Sequence, residues 1–353
     1  MTTQADLNLD THTVVRDERV KEQNRLQRLL IRPEMGGAFV GAVGIFILFL
    51  IVAPPFRTPG SPGHGSVRQL DHRIMAVGVG VLMIGGEFDL SSGVAVTTSS
   101  LAASMLSYNL HLNLWVGAAL SLVIALAVGF FNGYMVMKTK IPSFLITLSS
   151  FFMLTGVNLA VTKLLSGQVA THSVSDMQGF DSGKAVFASS FDIFGVSVRV
   201  TVFWWILFVA IATYVLFRTR IGNWIFAVGG NQDSARAVGV PVTKVKIGLF
   251  MVVSLCAWFV GMHLLFAFNT VQSGQGIGNE FFYIIAAVVG GCLLTGGYGT
   301  AIGTLIGAFI FGMTNQGIVY AGWNPDWFKF FLGAMLLFAV IANNVVRNYA
   351  AKR

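Results

Sequence analysis

The stretch LNLWVGAALSLVIALAVGFFNGYMVM, residues 112–137, is an apolar run without a single Asp, Glu, Lys or Arg. A helix needs about 20 apolar residues to cross the hydrocarbon core of a bilayer, so this run predicts a transmembrane helix. Nine further windows predict spans at 35–53, 73–86, 93–109, 142–165, 200–217, 246–268, 280–295, 300–320 and 328–346. We therefore expect an all-α polytopic membrane protein, a glycine-rich bundle of about ten transmembrane helices with one or more of them broken.

The overall composition supports the same class. Hydrophobic residues make up 55% of the 353 residues and charged residues 11%, which is too little polar surface for a water-soluble globule of this size. The formal charge of +8 could suggest nucleic acid, but the basic residues lie in short patches between apolar runs. Anchoring at the cytoplasmic side of a membrane explains such patches better. We expect contact with membrane lipid and none with nucleic acid.

Lysine and arginine predict the orientation. A cytoplasmic N-terminus places most of them on the inside, which is the usual bias, and an even number of spans then leaves both termini in the cytoplasm. The transmembrane domain is predicted over 35–346, with an N-terminal segment 1–34, a tail 347–353 and an outer loop 166–199. Leu26, Leu29 and Leu30 have helical spacing, which favours a helix on the membrane surface.

The segment IGGEFDLSSG, residues 84–93, interrupts two runs that are each short for a crossing. Its glycines permit an unwound turn, and Asp89 with Ser91 is a candidate cap for the next helix. Two interpretations are open. The segment is either a discontinuous element beside a transport path, as in many transporters, or a plain cytoplasmic turn with a cap.

The segment FAVGGNQDSARAVGVPVTKVKI, residues 226–247, is a long polar break. Asn231 is a good N-cap, Asp233 lies in the first turn, and Gly239 with Pro241 ends the helix. The pattern predicts about two turns that expose Ala235 and Val238. Because so short a helix is marginal in water, it either folds back on its own subunit or docks on a partner.

Other residue patterns give packing rather than chemistry. Gly299, Gly303 and Gly307 recur every fourth residue, a stripe that lets helices approach closely in lipid. Cys256 and Cys292 lie in apolar runs, so we expect small core residues, no disulfide and no metal site. The sequence has no phosphate-binding G-x-x-x-x-G-K-[S/T] motif and no G-x-S-x-G elbow, so we expect no enzyme. If transport is active, its energy enters elsewhere.

Four blocks carry a resemblance to a known family. They are GGEFDLSSG (85–93), GFFNGYMVMKTKIPSFLITLSSFFMLTG (129–156), TRIGNWIFAVGGNQDSARAVGVPVTKVKI (219–247) and AAVVGGCLLTGGYGTAIGTLIGAFIFGMTNQGI (286–318). Together they resemble the membrane-spanning permease of bacterial ABC importers for monosaccharides, of the ribose, xylose, arabinose and galactose type. Around the first block the family usually has small or branched apolar residues, where this chain has Glu87 and Phe88.

The resemblance implies a location in the bacterial inner membrane, partners and a mechanism. It implies a second permease copy or paralogue, cytoplasmic ATPases that hold ATP and Mg, and an extracytoplasmic sugar-binding protein, with no cofactor in this chain itself. Residues 231–239 match the family's coupling helix, which sits in a groove of the ATPase. The residues that this match assigns to contact or shape are Gly230, Asn231, Asp233, Ala235, Arg236 and Gly239. Alternating access driven by ATP follows from the resemblance.

Polar side chains that interrupt apolar helices are candidates for a translocation path. They are Asp89, Ser91, Ser92, Asn132, Ser143, Thr147 and Asn158. Each has a second interpretation, a backbone or interhelix hydrogen bond.

Rival functions remain open at this point. In an ion- or proton-coupled secondary carrier, Glu87, Asp89 or Glu280 would be the coupling group. A membrane enzyme would need clustered histidines or carboxylates, and the scattered histidines argue against one. The cargo is expected to be a monosaccharide, with a polyol or a sugar-derived signal as alternatives.

Overall fold

A computed structural model describes residues 33–53, 67–193, 196–324 and 326–351. The predicted surface helix with Leu26, Leu29 and Leu30 lies outside these residues. The helices are α1 (Pro33–Val52), α2 (Val67–Ile84), α3 (Ser92–Asn109), α4 (Leu114–Thr139), α5 (Ser143–Ser166), α6 (Phe180–Phe187), α7 (Val200–Arg218), α8 (Arg220–Gly230), α9 (Gln232–Ala237), α10 (Val242–Phe268), α11 (Asn279–Val289), α12 (Ala301–Tyr320) and α13 (Trp327–Ala351). Between α6 and α7, β1 (Ser190–Ile193) and β2 (Val196–Arg199) form an antiparallel hairpin.

Helix α10 is the centre of the bundle and packs against α2, α3 and α4. In its most apolar window 78% of residues are buried, against 17% in α5 and 6% in α13, which lie at the periphery. Glycines let α4 approach α10 closely. A Cβ at Gly129 would lie 2.7 Å from the Phe250 carbonyl oxygen, and one at Gly133 would lie 2.7 Å from the Ile247 Cα. Close backbone contact of this kind is how helices associate in lipid.

Helices α1, α12 and α13 form a second layer beside this bundle, joined to it through α2 and α11. Gly317 of α12 lies against the ring of Phe49 on α1. Gly303 and Gly307 of α12 lie against Gly290 and Ala286 at the end of α11. The predicted stripe is wrong at Gly299, which precedes α12 and has a φ of 144°, because the helix begins only at Ala301.

The all-α polytopic class is confirmed. Six helices among the described residues are long and apolar enough to cross a membrane: α4, α5, α7, α10, α12 and α13. Each predicted window overlaps a helix, but α1, α2 and α11 contain only shorter apolar stretches and α3 is not among the six, so the count of ten crossings stays a prediction. The predicted tail at 347–353 is helical to Ala351 as part of α13.

The predicted span 280–295 is wrong at its end, because α11 stops at Val289. Gly291, Gly296 and Gly297 follow with φ values of 93°, 78° and 73°, a backbone that a continuing α-helix does not contain. Residues 290–300 therefore form a loop. This loop reaches residues 85–91 between α2 and α3, which we call the break.

A second irregular segment, residues 269–278, joins α10 to α11. Near its start the Thr171 N–H donates to the Val271 carbonyl oxygen over 2.9 Å, which ties it to the loop after α5. Near its end Gly276 lies against the backbone of Gly93 at the beginning of α3. The segment thus runs alongside α3 for most of that helix, and α11 begins within the bundle.

Candidate coupling and translocation site

The short helix α9 has the predicted cap. The Asn231 Oδ1 accepts hydrogen bonds from the N–H groups of Asp233 and Ser234 over 3.1 and 2.8 Å. Gly239, with a φ of 86°, ends the segment just before Pro241. Two backbone groups that would otherwise lack partners are therefore satisfied by one side chain, and the helix is fixed at its first turn.

The predicted exposure of Ala235 is wrong. Ala235 is 3% exposed and belongs to the main core cluster, whereas Val238 is 79% exposed. Ala235 lies on the helix face that packs against the bundle, which leaves Asp233 and Arg236 on the outer face, where they form an ion pair of 3.3 Å. An exposed pair of this kind adds little stability. The outward side of α9, together with Val238 directly after it, therefore exposes one apolar and two charged side chains to a partner.

Three glycine-containing segments meet beside α9. Gly86 follows α2, Gly229 lies at the end of α8, and Gly296 and Gly297 lie in the loop after α11. The Gly297 N–H donates to the Ile84 carbonyl oxygen over 2.8 Å. A Cβ at Gly296 would lie 2.5 Å from the Gly86 Cα and 2.8 Å from the Gly229 carbonyl oxygen. We call Gly86, Gly229, Gly296 and Gly297 the glycine junction. Only residues without side chains permit this contact.

A buried ion pair lies next to the glycine junction. The Lys246 ammonium group, in the first turns of α10, donates to the Glu87 carboxylate, and both residues are 7% exposed. The same Nζ atom donates to the Gln232 Oε1 atom over 2.9 Å. Lys246 therefore links the break after α2 to the first residue of α9. We call these three residues the 87–246–232 bridge.

Hydroxyl groups from α5 hold the other side of the break. The Phe88 N–H donates to the Ser143 Oγ and the Leu90 N–H donates to the Thr147 Oγ1, both over 3.1 Å. These bonds satisfy backbone groups in a stretch that has no regular structure. The break is thereby attached to the N-terminal end of α5.

A chain of polar side chains continues from the break into the bundle. The Ser91 hydroxyl donates to the Asp89 carboxylate over 2.6 Å and accepts from the Asn132 amide over 2.9 Å. The Asn132 Oδ1 in turn accepts from the Ser150 hydroxyl over 2.6 Å. Ser91 stands at the N-cap position of α3, but its hydroxyl makes no capping bond to that helix; instead the Asp89 Oδ1 accepts from the Ser91 N–H over 2.8 Å. The Ser92 hydroxyl donates to the Asp89 carbonyl oxygen.

The structure thus brings together six of the seven predicted path residues, and Asn158 lies apart from them. All seven are buried: Asp89, Ser91, Ser92, Asn132, Ser143, Thr147 and Asn158. The six are engaged in hydrogen bonds within the protein, which supports the interhelix interpretation over direct contact with cargo. Asn158 lies farther along α5, and its amide nitrogen has no partner among the described residues.

Glu280 lies at the beginning of α11, where the irregular segment 269–278 meets α3. It is 2% exposed, and its two carboxylate oxygens accept from the Gly278 N–H over 3.2 and 3.1 Å. A Cβ at Gly93 would lie 2.5 Å from its Oε2 atom. The three carboxylates considered for ion coupling, those of Glu87, Asp89 and Glu280, therefore all have partners within the protein.

Sequence reasoning missed Lys246, Gln232 and Ser150, and it did not connect Gly86 or Gly229 with Gly296 and Gly297. One signal was available. Lys246 is a charged residue inside an apolar helix, and such residues need a partner. Its partner Glu87 is 159 residues away in the sequence, and no spacing rule predicts that distance.

Comparisons with known proteins agree on one family. A family model described as "Branched-chain amino acid transport system / permease component" matches residues 69–340. Ribose import permease protein RbsC of Escherichia coli (strain K12) is 32% identical over 307 residues, covering 86% of this chain and 92% of that protein. Galactose/methyl galactoside import permease protein MglC of the same strain is 29% identical over 334 residues, covering 90% and 96%.

A third relative has a different sugar in its name. Fructose import permease protein FrcC of Rhizobium meliloti is 29% identical over 273 residues, covering 74% of this chain and 72% of that protein. No solved structure matches the chain.

Proposed function

The chain belongs to the family of permease components of bacterial import systems, and we propose that it is the membrane subunit of an ATP-binding-cassette importer for a monosaccharide. It forms the translocation path, and a partner ATPase supplies the energy. The names of the relatives, which are permeases for ribose, galactose and fructose, support a monosaccharide as cargo. Because the three sugars differ, the relatives do not single out one of them, and a polyol or a sugar-derived signal remains an alternative cargo.

One observation carries the proposal: α9 is a capped helix with the exposed charges of Asp233 and Arg236, and Val238, the residue directly after it, has a side chain that is 79% exposed. Its inward side is fixed by Ala235, and its first residue is part of the 87–246–232 bridge. A surface that is exposed to a partner and firmly attached to the bundle suits force transmission. We infer that α9 is the coupling helix and that it docks on the ATPase.

We infer that transport proceeds by alternating access. Closure of the ATPase on ATP moves α9, and the helices attached to it open the path to one side or the other. A separate binding protein presents the sugar, so the permease needs no tight site of its own. A second copy or a paralogue of this chain completes the path. The ATPase lies on the cytoplasmic side, so α9 and both termini are placed there, in agreement with the distribution of Lys and Arg.

The secondary-carrier alternative has less support. A proton- or sodium-coupling carboxylate must exchange its ligand during transport. Glu87 is paired with Lys246, Asp89 with Ser91, and Glu280 with the Gly278 N–H. These are the partners of structural carboxylates. The match to permease components of import systems favours the ATP-driven class as well.

The experiment is co-purification of the tagged chain with the co-expressed ATPase of its own transport system. Arg236→Glu combined with Val238→Asp reverses one charge and adds another on the outer face of α9, so we expect loss of the ATPase. Ala235 is unsuitable for this test because it is buried, and a charge there would disturb the fold. Lys163→Glu, an exposed charge reversal at the far end of α5, is the matched control and retains the ATPase. Full retention by the Arg236 and Val238 double variant would refute the assignment of α9.

A further inference from the structure

The 87–246–232 bridge connects three elements that are distant in sequence. Lys246 belongs to α10, Glu87 to the break after α2, and Gln232 to α9. Gln232 is exposed and reaches inward from the helix that we assign as the coupling helix. The ammonium group thus contacts both α9 and the break.

The bridge carries a desolvation cost, because its two charged groups are buried. Two charges, each 7% exposed, have lost most of their water, and their attraction offsets this loss only while the geometry holds. If α9 moved and Lys246 followed Gln232, Glu87 would be left as an isolated buried charge. Displacement of α9 is therefore linked to displacement of the break through the hydrogen bond between Lys246 and Gln232.

The break passes the motion onward. Phe88 directly follows Glu87, and its N–H is bonded to Ser143 at the start of α5, while the Leu90 N–H is bonded to Thr147 one turn later. A continuous route of polar contacts therefore runs from Gln232 through Lys246 and Glu87 to α5. Helix α5 is peripheral, with 17% of its apolar window buried, so it has few neighbours that oppose its movement.

The glycine junction supplies the fixed point for this motion. Backbone meets backbone at Gly86, Gly229 and Gly296, and such a contact has no side chain that is able to change rotamer. The bridge lies within a few residues of it: Glu87 follows Gly86 and Gln232 follows Gly229 by three positions. In this arrangement the glycine junction would act as a hinge, and the 87–246–232 bridge beside it would connect the moving segments.

We propose that the 87–246–232 bridge transmits movement of the coupling helix to the break and to α5, so that Glu87, Lys246 and Gln232 are positioning residues for transport. This inference rests on the proposed function. The inference goes beyond the proposed function because it assigns two different roles to the region around α9. The outer face of α9 binds the ATPase, and the inner bridge converts that binding into opening of the path.

The test measures sugar transported per ATP hydrolysed in proteoliposomes that contain the permease, its ATPase and its binding protein. Radiolabelled D-ribose, D-galactose and D-fructose serve as probes. The central variant is Gln232→Met, which keeps the side-chain length, removes the acceptor of Lys246 and leaves the buried ion pair intact. Gln232→Glu restores an acceptor. Ser234→Ala is the control, since it changes a neighbouring exposed residue whose side chain has no bond in the structure.

We expect Gln232→Met to bind the ATPase as the wild type does and to hydrolyse ATP, with transport per ATP reduced about 10-fold, within the range of typical coupling between sites. Gln232→Glu and Ser234→Ala keep the wild-type ratio. A second variant, Glu87→Met with Lys246→Met, replaces the whole pair by apolar side chains of similar length, which removes the link without leaving an unpaired buried charge. It is expected to show the same uncoupling.

Two outcomes would overturn the inference. One is an unchanged transport ratio in both the Gln232→Met variant and the double Met variant. The other is weaker ATPase binding by Gln232→Met that fully accounts for the loss of transport, because Gln232 would then be part of the docking surface. If the wild-type permease itself neither binds the ATPase nor responds to ATP, the proposed function fails as a whole, and that result is visible before any variant is compared.

Discussion

Gly229 has the tightest surroundings in the glycine junction. A Cβ at this position would collide with the Ile84 carbonyl oxygen and lie 2.7 Å from the Gly297 nitrogen. Both obstacles are backbone atoms, which do not rotate aside as a flexible side chain does. The neighbouring Gly230 has no atom within 4 Å of the same position. The two adjacent glycines therefore provide a variant and its own control.

Gly229→Ala is expected to destabilise the folded protein, because overpacking costs about 1–3 kcal/mol and sometimes more. Each kcal/mol lowers the melting midpoint by about 2–4 °C in a domain of 150–250 residues and by less in a longer chain, so we expect a shift of about 1–4 °C here. Thermal unfolding in detergent measures it. Gly230→Ala should melt with the wild type. Equal melting of the two variants would show that the junction is looser than its contacts indicate.

Ser150 and Ser149 form a second matched pair. The Ser150 hydroxyl donates to the Asn132 Oδ1 inside the bundle, whereas Ser149 is exposed and bonds only to its own helix at Leu145. Ser150→Ala leaves a buried acceptor without a donor, which costs about 1–3 kcal/mol. Ser149→Ala should change stability by less than about 0.5 kcal/mol. Thermal unfolding compares them, and equal effects would argue against the polar chain that begins at Asp89.

Sequence reasoning at this scale identified residue types correctly but not their partners. The polar interruptions at Asn132, Ser143 and Thr147 were noticed because they stand out in apolar helices. Their shared position around the break depends on how α4 and α5 pack, and local sequence patterns do not predict the packing of two helices. The pairing of Glu87 with Lys246 was missed for the same reason.

At the scale of single elements, local chemistry was a better guide. Asn231, Asp233 and Gly239 predicted the start and end of α9 because capping acts over three or four residues. The burial of Ala235 was not predicted, since six residues carry too little periodicity to define a face. The end of α11 was misplaced because Cys292, Leu293 and Leu294 continue the apolar run beyond the glycines that stop the helix.

Removal of the α9 cap should loosen that helix without unfolding the bundle. Asn231→Ala removes the acceptor of two N–H groups and costs about 1 kcal/mol locally, which corresponds to about 5-fold faster amide exchange at Asp233 and Ser234. Hydrogen exchange with mass spectrometry measures it. Asn231→Ser keeps a capping oxygen and should exchange at the wild-type rate. If α9 is the docking element, Asn231→Ala also retains less ATPase than Asn231→Ser does.

At the scale of the whole molecule, orientation is open to a direct test. The native cysteines are buried, with Cys256 2% and Cys292 0% exposed. We therefore expect little labelling of the wild-type chain by a thiol reagent. Val238→Cys places a thiol on α9, and Asp176→Cys places one in the predicted outer loop. A membrane-impermeant maleimide should label position 238 only from the cytoplasmic side and position 176 only from the outside. The reverse pattern would invert the proposed topology.

The proposal that a partner ATPase drives transport leads to the last prediction. Glu87, Asp89 and Glu280, the three candidate coupling carboxylates, each have a partner within the protein, and the proposed energy source is the ATPase. The purified chain alone in proteoliposomes should therefore not accumulate D-ribose, D-galactose or D-fructose against a gradient, whether a proton or a sodium gradient is imposed. Addition of its ATPase, its binding protein and ATP should start accumulation, and a non-hydrolysable ATP analogue should not.

A double variant, Glu87→Gln with Asp89→Asn, distinguishes an ATP-driven importer from a secondary carrier further, because it would abolish gradient-driven uptake in a carrier. Uphill transport by the chain alone, lost in that variant, would assign it to the secondary carriers.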